Sequence, residues 1–301
     1  MPRLSPKFIV LLLTPILVLG ILAFIFIDAP PEERPVPMTN EEPVQKPKDA
    51  GEPLKQVTIG NSVSGRPIEA YTFGNGDTHL LFVGGIHGGY EWNSILLAYA
   101  LIDQLTATPS LIPLNLQVSV IPSANPDGLF AVLGTGGRFT LDEARTVTDT
   151  EGKGRFNSNK VDLNRNFDCK WQPTSTWRDK PVSAGASAFS EPEAQAIRDF
   201  VLQKKPQAVV FFHSQSNAVY ASECQNGILP ITRNIMNAYS QASGYKAVDS
   251  FDAYEITGDA EGWLASINIP AITVELSTHE TIEWDKNLAG IKALFEYFNT
   301  K

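Results

Sequence analysis

"LLFVGGIHGGYEWNS" spans Leu80–Ser94. An unbroken apolar run ends in His87, two glycines follow, and a carboxylate arrives at Glu91. A short continuous apolar stretch closed by glycine reads as a strand buried on both faces. "WNSILLAYALIDQL" (Trp92–Leu105) then carries its apolar residues at helical spacing. A buried strand, a glycine turn and a helix make one unit of an α/β sheet. A lone His or Glu at such a turn is ordinarily a solvated rim residue, so this stretch by itself sets a fold class and leaves function open.

The same alternation continues outward. "QVTIGNSVSGRPIEAYTFG" (Gln56–Gly74) reads as a hairpin turning at Ser64-Gly65. "NLQVSVIPS" (Asn115–Ser123), "AVVFFH" (Ala208–His213) and "PAITVEL" (Pro270–Leu276) read as further strands. "SEPEAQAIRDFVLQKK" opens on a Ser190/Glu193 capping box and reads as a helix. "ITRNIMNAYSQASG", closed by Gly244, "AEGWLASIN" and "WDKNLAGIKALFEYFN" read as three more. "ANPDG" (Ala124–Gly128) is a turn signal, and much of 129–190 is polar and irregular, long enough for a functional loop. The expected fold is α/β: a mixed, mostly parallel twisted sheet with helices on both faces.

On that sheet His87 and His213 close two apolar strands and Glu275 lies near the end of a third. Ligands of open α/β sheets bind beyond the carboxyl ends of the strands. Two imidazoles and carboxylates on one edge form the donor inventory of a metal site. Any one of them alone reads as a satisfied core residue; the coincidence of three points to a site.

The N-terminal segment is a different material. "FIVLLLTPILVLGILAFIFI" (Phe8–Ile27) holds twenty residues without a charge, about the ~20 that span a bilayer. Arg3 and Lys7 precede it and Asp28, Glu32 and Glu33 follow, so the basic flank stays inside and the remainder is exported. Residues 1–27 are therefore expected to be an uncleaved anchor, with a cleaved signal as the alternative. Cleavage after Ala29 would be poor, because Ile27 stands at the small-residue position and Pro30 follows. Residues 28–53 carry seven prolines and little that is large and apolar, the composition of a tether. The folded domain is expected over 54–301. A net charge of −9 counts against nucleic acid as a partner, because phosphate binding needs a basic face. Cys169 and Cys224 are the only cysteines, and in an exported domain they are expected to bridge.

"VDLNRNF" (Val161–Phe167) settles the function class, because a charged turn with capping asparagines does not explain an Arg between two Asn after an Asp. Taken with "GIHGGYEW", "NPDG", "FFHS" and "ITVEL", in that order and spacing, the chain resembles the zinc metallocarboxypeptidases of the carboxypeptidase A/B type over roughly residues 57–300. The resemblance implies one zinc held by His87, Glu91 and His213. It also implies Glu275 as general base and Arg155, nine residues before Asn164, as the group that polarises the scissile carbonyl. Asn164 and Arg165 would grip the substrate's terminal carboxylate, Asp162 would orient His87, and Tyr254 matches the family's mobile tyrosine. Glu261, seven residues after Tyr254, would floor the pocket for the terminal side chain and favour Lys, Arg or a diaminopimelate amine. Its alternative is a solvent-facing helix cap. One departure is visible: Glu91 follows His87 by four residues, where the family has three, and Tyr90 occupies the family's Glu position. His79 and His279 receive no role.

The implied activity is hydrolysis of a C-terminal peptide bond outside the cytoplasmic membrane by a monomer. A peptide or a peptidoglycan-derived substrate fits, and so a cell-wall stem-peptide amidohydrolase of the same fold is the alternative. Small-molecule deacylases of related type fit less well, since "VDLNRNF" and Tyr254 point to a peptide carboxylate. An inactive relative acting as a binding module is disfavoured by the presence of Glu275 and Arg155.

Overall fold

The computed structural model describes residues 55–300 apart from 148 and 150. The apolar run 8–27 and the proline-rich stretch 28–53 lie outside the described residues. Among the described residues no helix is long and apolar enough to cross a membrane.

In chain order the strands are β1 (Lys55–Asn61), β2 (Pro67–Gly74), β3 (Thr78–Val83), β4 (Leu116–Ile121), β5 (Thr174–Trp177), β6 (Lys180–Ser183), β7 (Ala208–Ser214), β8 (Ala218–Ala221), β9 (Glu223–Cys224), β10 (Gly227–Ile228), β11 (Lys246–Val248) and β12 (Ala271–Leu276). The helices are α1 (Trp92–Ala107), α2 (Pro126–Leu133), α3 (Leu141–Arg145), α4 (Pro192–Lys204), α5 (Pro230–Ser243), α6 (Ala260–Ser266) and α7 (Trp284–Asn299). Eight strands form the main sheet in the order β1-β2-β4-β3-β7-β12-β8-β11. The central four, β4, β3, β7 and β12, run parallel, whereas β1, β2 and β8 pair antiparallel.

Side-chain alternation divides the core in two. Leu80, Phe82, Val210, Phe212, Ile272 and Val274 face a core shared with α1, α5 and α7. Leu81, Val83, Val209, Phe211 and Ala271 face a second core with α4 and α6. With both faces covered, β3 and β7 read as continuous apolar runs, which is why the sequence showed them as such. Continuing the odd register of the second face, His213 and Glu275 sit directly opposite each other on β7 and β12.

Two local expectations are corrected. "ANPDG" is more than a turn: the Asn125 side chain accepts the Gly128 N–H at 2.8 Å and starts α2, with Pro126 in its first turn. The Ser190/Glu193 box does not form. The backbone is still extended at Glu191, which caps α4, and Pro192 opens the helix one residue later than expected. Ser190 Oγ instead donates to Glu191, and the Glu193 carboxylate accepts from Val63 N and Asn157 Nδ2. The irregular stretch also contains a capping box of its own, Thr140/Glu143, and the β5–β6 hairpin.

Candidate active site and metal centre

Two backbone segments run side by side beyond the sheet edge. After β3, Gly84 and Gly85 carbonyls accept the N–H groups of Ala124 and Asn125, so the chain leaving β3 is tied to the chain leaving β4. Gly88 then adopts φ +47°, a left-handed conformation that favours glycine, and a Cβ there would stand 2.5 Å from the Gly154 carbonyl. This turn lets Gly88–Glu91 coil as a single 3-10 turn. The stretched His-x-x-x-Glu spacing is thereby taken up within one turn, and Glu91 faces His87.

His87, Glu91 and His213 are all buried, and one donor atom from each lies within 4.8 Å of the others. His213 Nδ1 is 3.3 Å from Glu91 Oε2, and the two imidazole rings are 5.0 Å apart. Glu91 Oε2 also accepts the Ser214 N–H at 3.1 Å. Asp162 Oδ2 accepts from Arg155 Nε at 2.8 Å, and its Oδ1 stands 3.5 Å from His87 Nδ1, which is buried without a hydrogen-bond partner. An imidazole faced by a carboxylate at one nitrogen presents the other as a lone-pair ligand. Arg155 Nη1 reaches to 3.9 Å from Glu91, and its guanidinium lies over the Trp177 ring.

The charges are consistent with a cation-binding role. Burial, reinforced by Arg155, holds His87 well below the ordinary imidazole range, so it is neutral. Burial works in the same direction on His213, but hydrogen bonds to Glu261 and Glu91 outweigh it and raise the ring well above that range; a cation facing Glu91 would take the place of the Nδ1 proton. Glu275 is pushed up to about 8, by burial first and then by the Glu91 and Glu261 carboxylates, and its Oε2 is enclosed without a hydrogen-bond partner. Buried carboxylates and an unpartnered oxygen crowded around two imidazoles are the surroundings a divalent cation compensates. Two His and one Glu leave a fourth position of a tetrahedral ion open, so this donor set fits zinc in a catalytic role.

Nine of the residues singled out from the sequence line one cavity of about 510 Å³: His87, Glu91, Arg155, Asn164, Arg165, His213, Tyr254, Glu261 and Glu275; Asp162 lies behind them. Asn164 Oδ1 accepts the Ala260 N–H at 2.9 Å, which fixes the start of α6 against the 3-10 turn Leu163–Arg165. Arg165 donates to the Asn164 and Thr176 carbonyls through Nη1, Nε and Nη2, leaving two of its five N–H groups uncommitted. The Tyr254 ring packs at 4.9 Å against Phe251. Glu261 is not the solvent-facing cap of α6; Asp259 caps that helix by accepting the Gly262 N–H at 2.7 Å. Glu261 is instead buried, its Oε1 3.1 Å from both His213 Nε2 and Thr273 Oγ1. It therefore occupies the second nitrogen of a candidate ligand as well as lining the cavity.

Further lining residues carried no role in the sequence reading. Ser214 lies beside His213, Trp177 and Arg178 end β5 and open its turn, and His279 bonds Ser214 Oγ through Nδ1 at 2.7 Å. Tyr90 also lines the cavity; the sequence showed it only as the extra residue within the His87–Glu91 spacing. Cys169 and Cys224 are bridged, with Cα atoms 6.1 Å apart, which joins the segment after "VDLNRNF" to β9.

The zinc carboxypeptidase family profile matches residues 48–290. The chain is 26% identical over 245 residues to γ-D-glutamyl-L-diamino acid endopeptidase 1 of Lysinibacillus sphaericus, covering 75% of this chain and 61% of that relative. It is 28% identical over 205 residues to murein peptide amidase A of Escherichia coli K12, covering 65% of this chain and 69% of the relative. Among solved structures, murein-tripeptide amidase from Escherichia coli O157 superposes with a TM-score of 0.61 at 24% identity, over 83% of this chain and 96% of that one. Thrombin-activatable fibrinolysis inhibitor superposes with a TM-score of 0.65 at 17% identity, over 82% and 69%. With the profile match spanning most of the chain and a His-Glu-His cluster at the sheet edge, the protein belongs to the zinc carboxypeptidase family, with zinc as its metal.

Proposed function

We propose that the chain is a zinc-dependent hydrolase that cleaves the amide bond to a C-terminal residue. The observation that carries this reading is the convergence of His87, Glu91 and His213 within 4.8 Å, with Glu275 opposite His213 on the next strand. His87, Glu91 and His213 would hold the metal, and zinc bound there would supply Lewis-acid polarisation of the scissile carbonyl and a water whose pKa falls from ~15.7 to about 7. Glu275, whose ionised form a cation at the cluster would favour, accepts the proton of the attacking water at the otherwise unpartnered Oε2 and delivers it to the leaving nitrogen. Arg155, oriented by Asp162, turns its remaining N–H groups to the oxygen on which negative charge develops. Asn164 Nδ2 and the uncommitted N–H groups of Arg165 take the terminal carboxylate, with Tyr254 closing that end. Glu261 and Thr273 line the pocket for the terminal side chain, and a carboxylate there favours a cationic group.

Cell-wall stem peptides ending in a diamino acid are the substrate reading favoured over ordinary peptides. Two curated relatives act, by their names, on murein peptides and γ-D-glutamyl-diamino acid bonds, and Glu261 suits the extra amine. We place the domain outside the cytoplasmic membrane, held by residues 1–27; the disulfide supports an oxidising compartment. The test is zinc content together with hydrolysis of a library of C-terminal residues, wild type against Glu275→Gln. The variant is expected to keep stoichiometric zinc and lose most turnover. Near-normal turnover removes Glu275 as the base, and a wild type without zinc removes the reading.

A further inference from the structure

The residue that stretches the metal motif has surroundings of its own. The Tyr90 ring stands between Trp177, at 5.1 Å, and His279, at 4.9 Å. His279 is fixed in turn by Ser214 Oγ, which donates to Asn93 Oδ1 at 3.0 Å; the Asn93 amide donates to the Thr278 and Thr281 carbonyls. The clamped phenol accepts a hydrogen bond from Arg178 Nη2 at 2.8 Å. Arg178 sits at the tip of the β5–β6 hairpin over the Trp177 ring and faces no carboxylate within salt-bridge distance among the described residues.

The chemistry of this pair is specific. Because Tyr90 Oη accepts from Arg178, its own proton remains free to donate. Beside it the guanidinium has uncommitted N–H groups. Two adjacent donors, one of them cationic, on the wall of a cavity match the two oxygens of a carboxylate. The position along the cavity follows from the contacts. His213 turns Nε2 to Glu261 and Nδ1 to Glu91, and Glu91 leads through Ser214 and His279 to Tyr90. Glu261 thus meets the cluster at His213 Nε2, whereas Tyr90 and Arg178 approach it from the side of Glu91, Ser214 and His279.

We propose that Tyr90 and Arg178 bind a carboxylate on the residue immediately upstream of the scissile bond, and so select substrates in which that residue is γ-linked glutamate. A γ linkage leaves the α-carboxylate free beside the bond to be cut, whereas an α-linked neutral residue offers none. The inference rests on the assignment above, in which the terminal residue occupies the Glu261 end.

Two tripeptides test it: alanyl-γ-D-glutamyl-lysine, and the same peptide with its glutamyl α-carboxylate capped as an amide. Both are measured as kcat/KM on the zinc enzyme and as Kd on zinc-loaded Glu275→Gln. The free carboxylate is expected to be preferred by roughly ten- to a hundredfold in both, the range of charge-assisted hydrogen bonds. Arg178→Gln should bring the ratio close to one, Arg178→Lys should restore part of it, and Tyr90→Phe should lower it a few-fold. Since each ratio compares two ligands on one protein, a partly unfolded variant does not distort it. A wild type that cleaves both peptides equally, or an Arg178→Gln ratio unchanged from wild type, overturns the inference and leaves the hydrolase reading intact. Preferential binding without any cleavage upholds the inference and overturns the hydrolase reading. If neither peptide binds, the inference falls together with the murein-type substrate, while release of ordinary C-terminal residues would still sustain the peptidase.

Discussion

At the scale of the single residue, Gly88 carries the stretched metal motif. Its φ of +47° disfavours any L side chain, and a Cβ would meet the Gly154 carbonyl at 2.5 Å and Gly128 backbone at 2.8 Å. The left-handed conformation alone costs a non-glycine residue about 1–2 kcal/mol, and the neighbours are backbone atoms with little room to yield. Gly88→Ala should therefore lower stability by at least that amount and reduce zinc content, read by chemical denaturation and metal analysis; a stable variant with full zinc would mean the turn is not constrained as described. His79, which had no role in the sequence, is buried at the start of β3 with Nε2 on Ser119 Oγ at 2.9 Å and Nδ1 unpartnered. Burial lowers its pKa to about 4, with the Lys204 charge acting in the same direction. Above pH ~6.5 both folded and unfolded chains hold it neutral, and it contributes nothing to pH dependence. As pH falls from there toward 4 the unfolded chain takes up the proton first, so stability declines, levelling at a loss of about 3 kcal/mol. Denaturation curves between pH 7 and 4 should show this component in the wild type and lack it in His79→Gln. Equal slopes in the two proteins would remove His79 as a contributor.

Among the elements, the Cys169–Cys224 bridge is the one covalent tie between the site segment and the strands beyond β7. It closes a loop with a sequence separation of 55 that holds the short strands β5, β6 and β8 as well as α4 and β7. In the chain-entropy description such a loop contributes about 4 kcal/mol. Replacing both cysteines by Ser should lower unfolding free energy by about 2–4 kcal/mol while zinc content persists, since His213 is held by the central strand β7 and the other two donors follow β3. Unchanged stability on reduction would show that packing of Trp263 and Phe167 already holds the segment. The elements also show what periodicity reads well. β3, β7 and β12 were legible because burial on both faces demands continuous apolar residues, and α1, α5 and α7 because an amphipathic stripe repeats. The two-to-four-residue strands β8, β9, β10 and β11 were not, since segments so short take their conformation from neighbouring strands and carry no period. The shifted start of α4 belongs with them: a capping box is set by backbone angles at Glu191, which the order of Ser190, Glu191 and Pro192 leaves open.

For the molecule as a whole, the prediction is topological. Phe8–Ile27 should remain attached, with the domain from residue 54 facing outward, so protease treatment of intact cells or spheroplasts should release that domain. A mature N-terminus near residue 30 would replace the anchor by a cleaved signal. By itself the sequence determined the α/β class, the strands of the sheet centre, and the set of side chains delivered to one sheet edge. These follow from local rules: apolar runs, helical spacing, and short motifs whose donors must stand at fixed intervals. Only the tertiary structure decided how those side chains share their partners. It gave His213 Nε2 to Glu261, assigned the cap of α6 to Asp259, set the inserted Tyr90 between Trp177 and His279, and brought Arg178 to its hydroxyl. Tyr90 and Arg178 are 88 residues apart, and His213 and Glu261 are 48 apart. Contacts across such separations arise from the register of β7 against β12 and the fold of the β5–β6 hairpin, which no local pattern encodes.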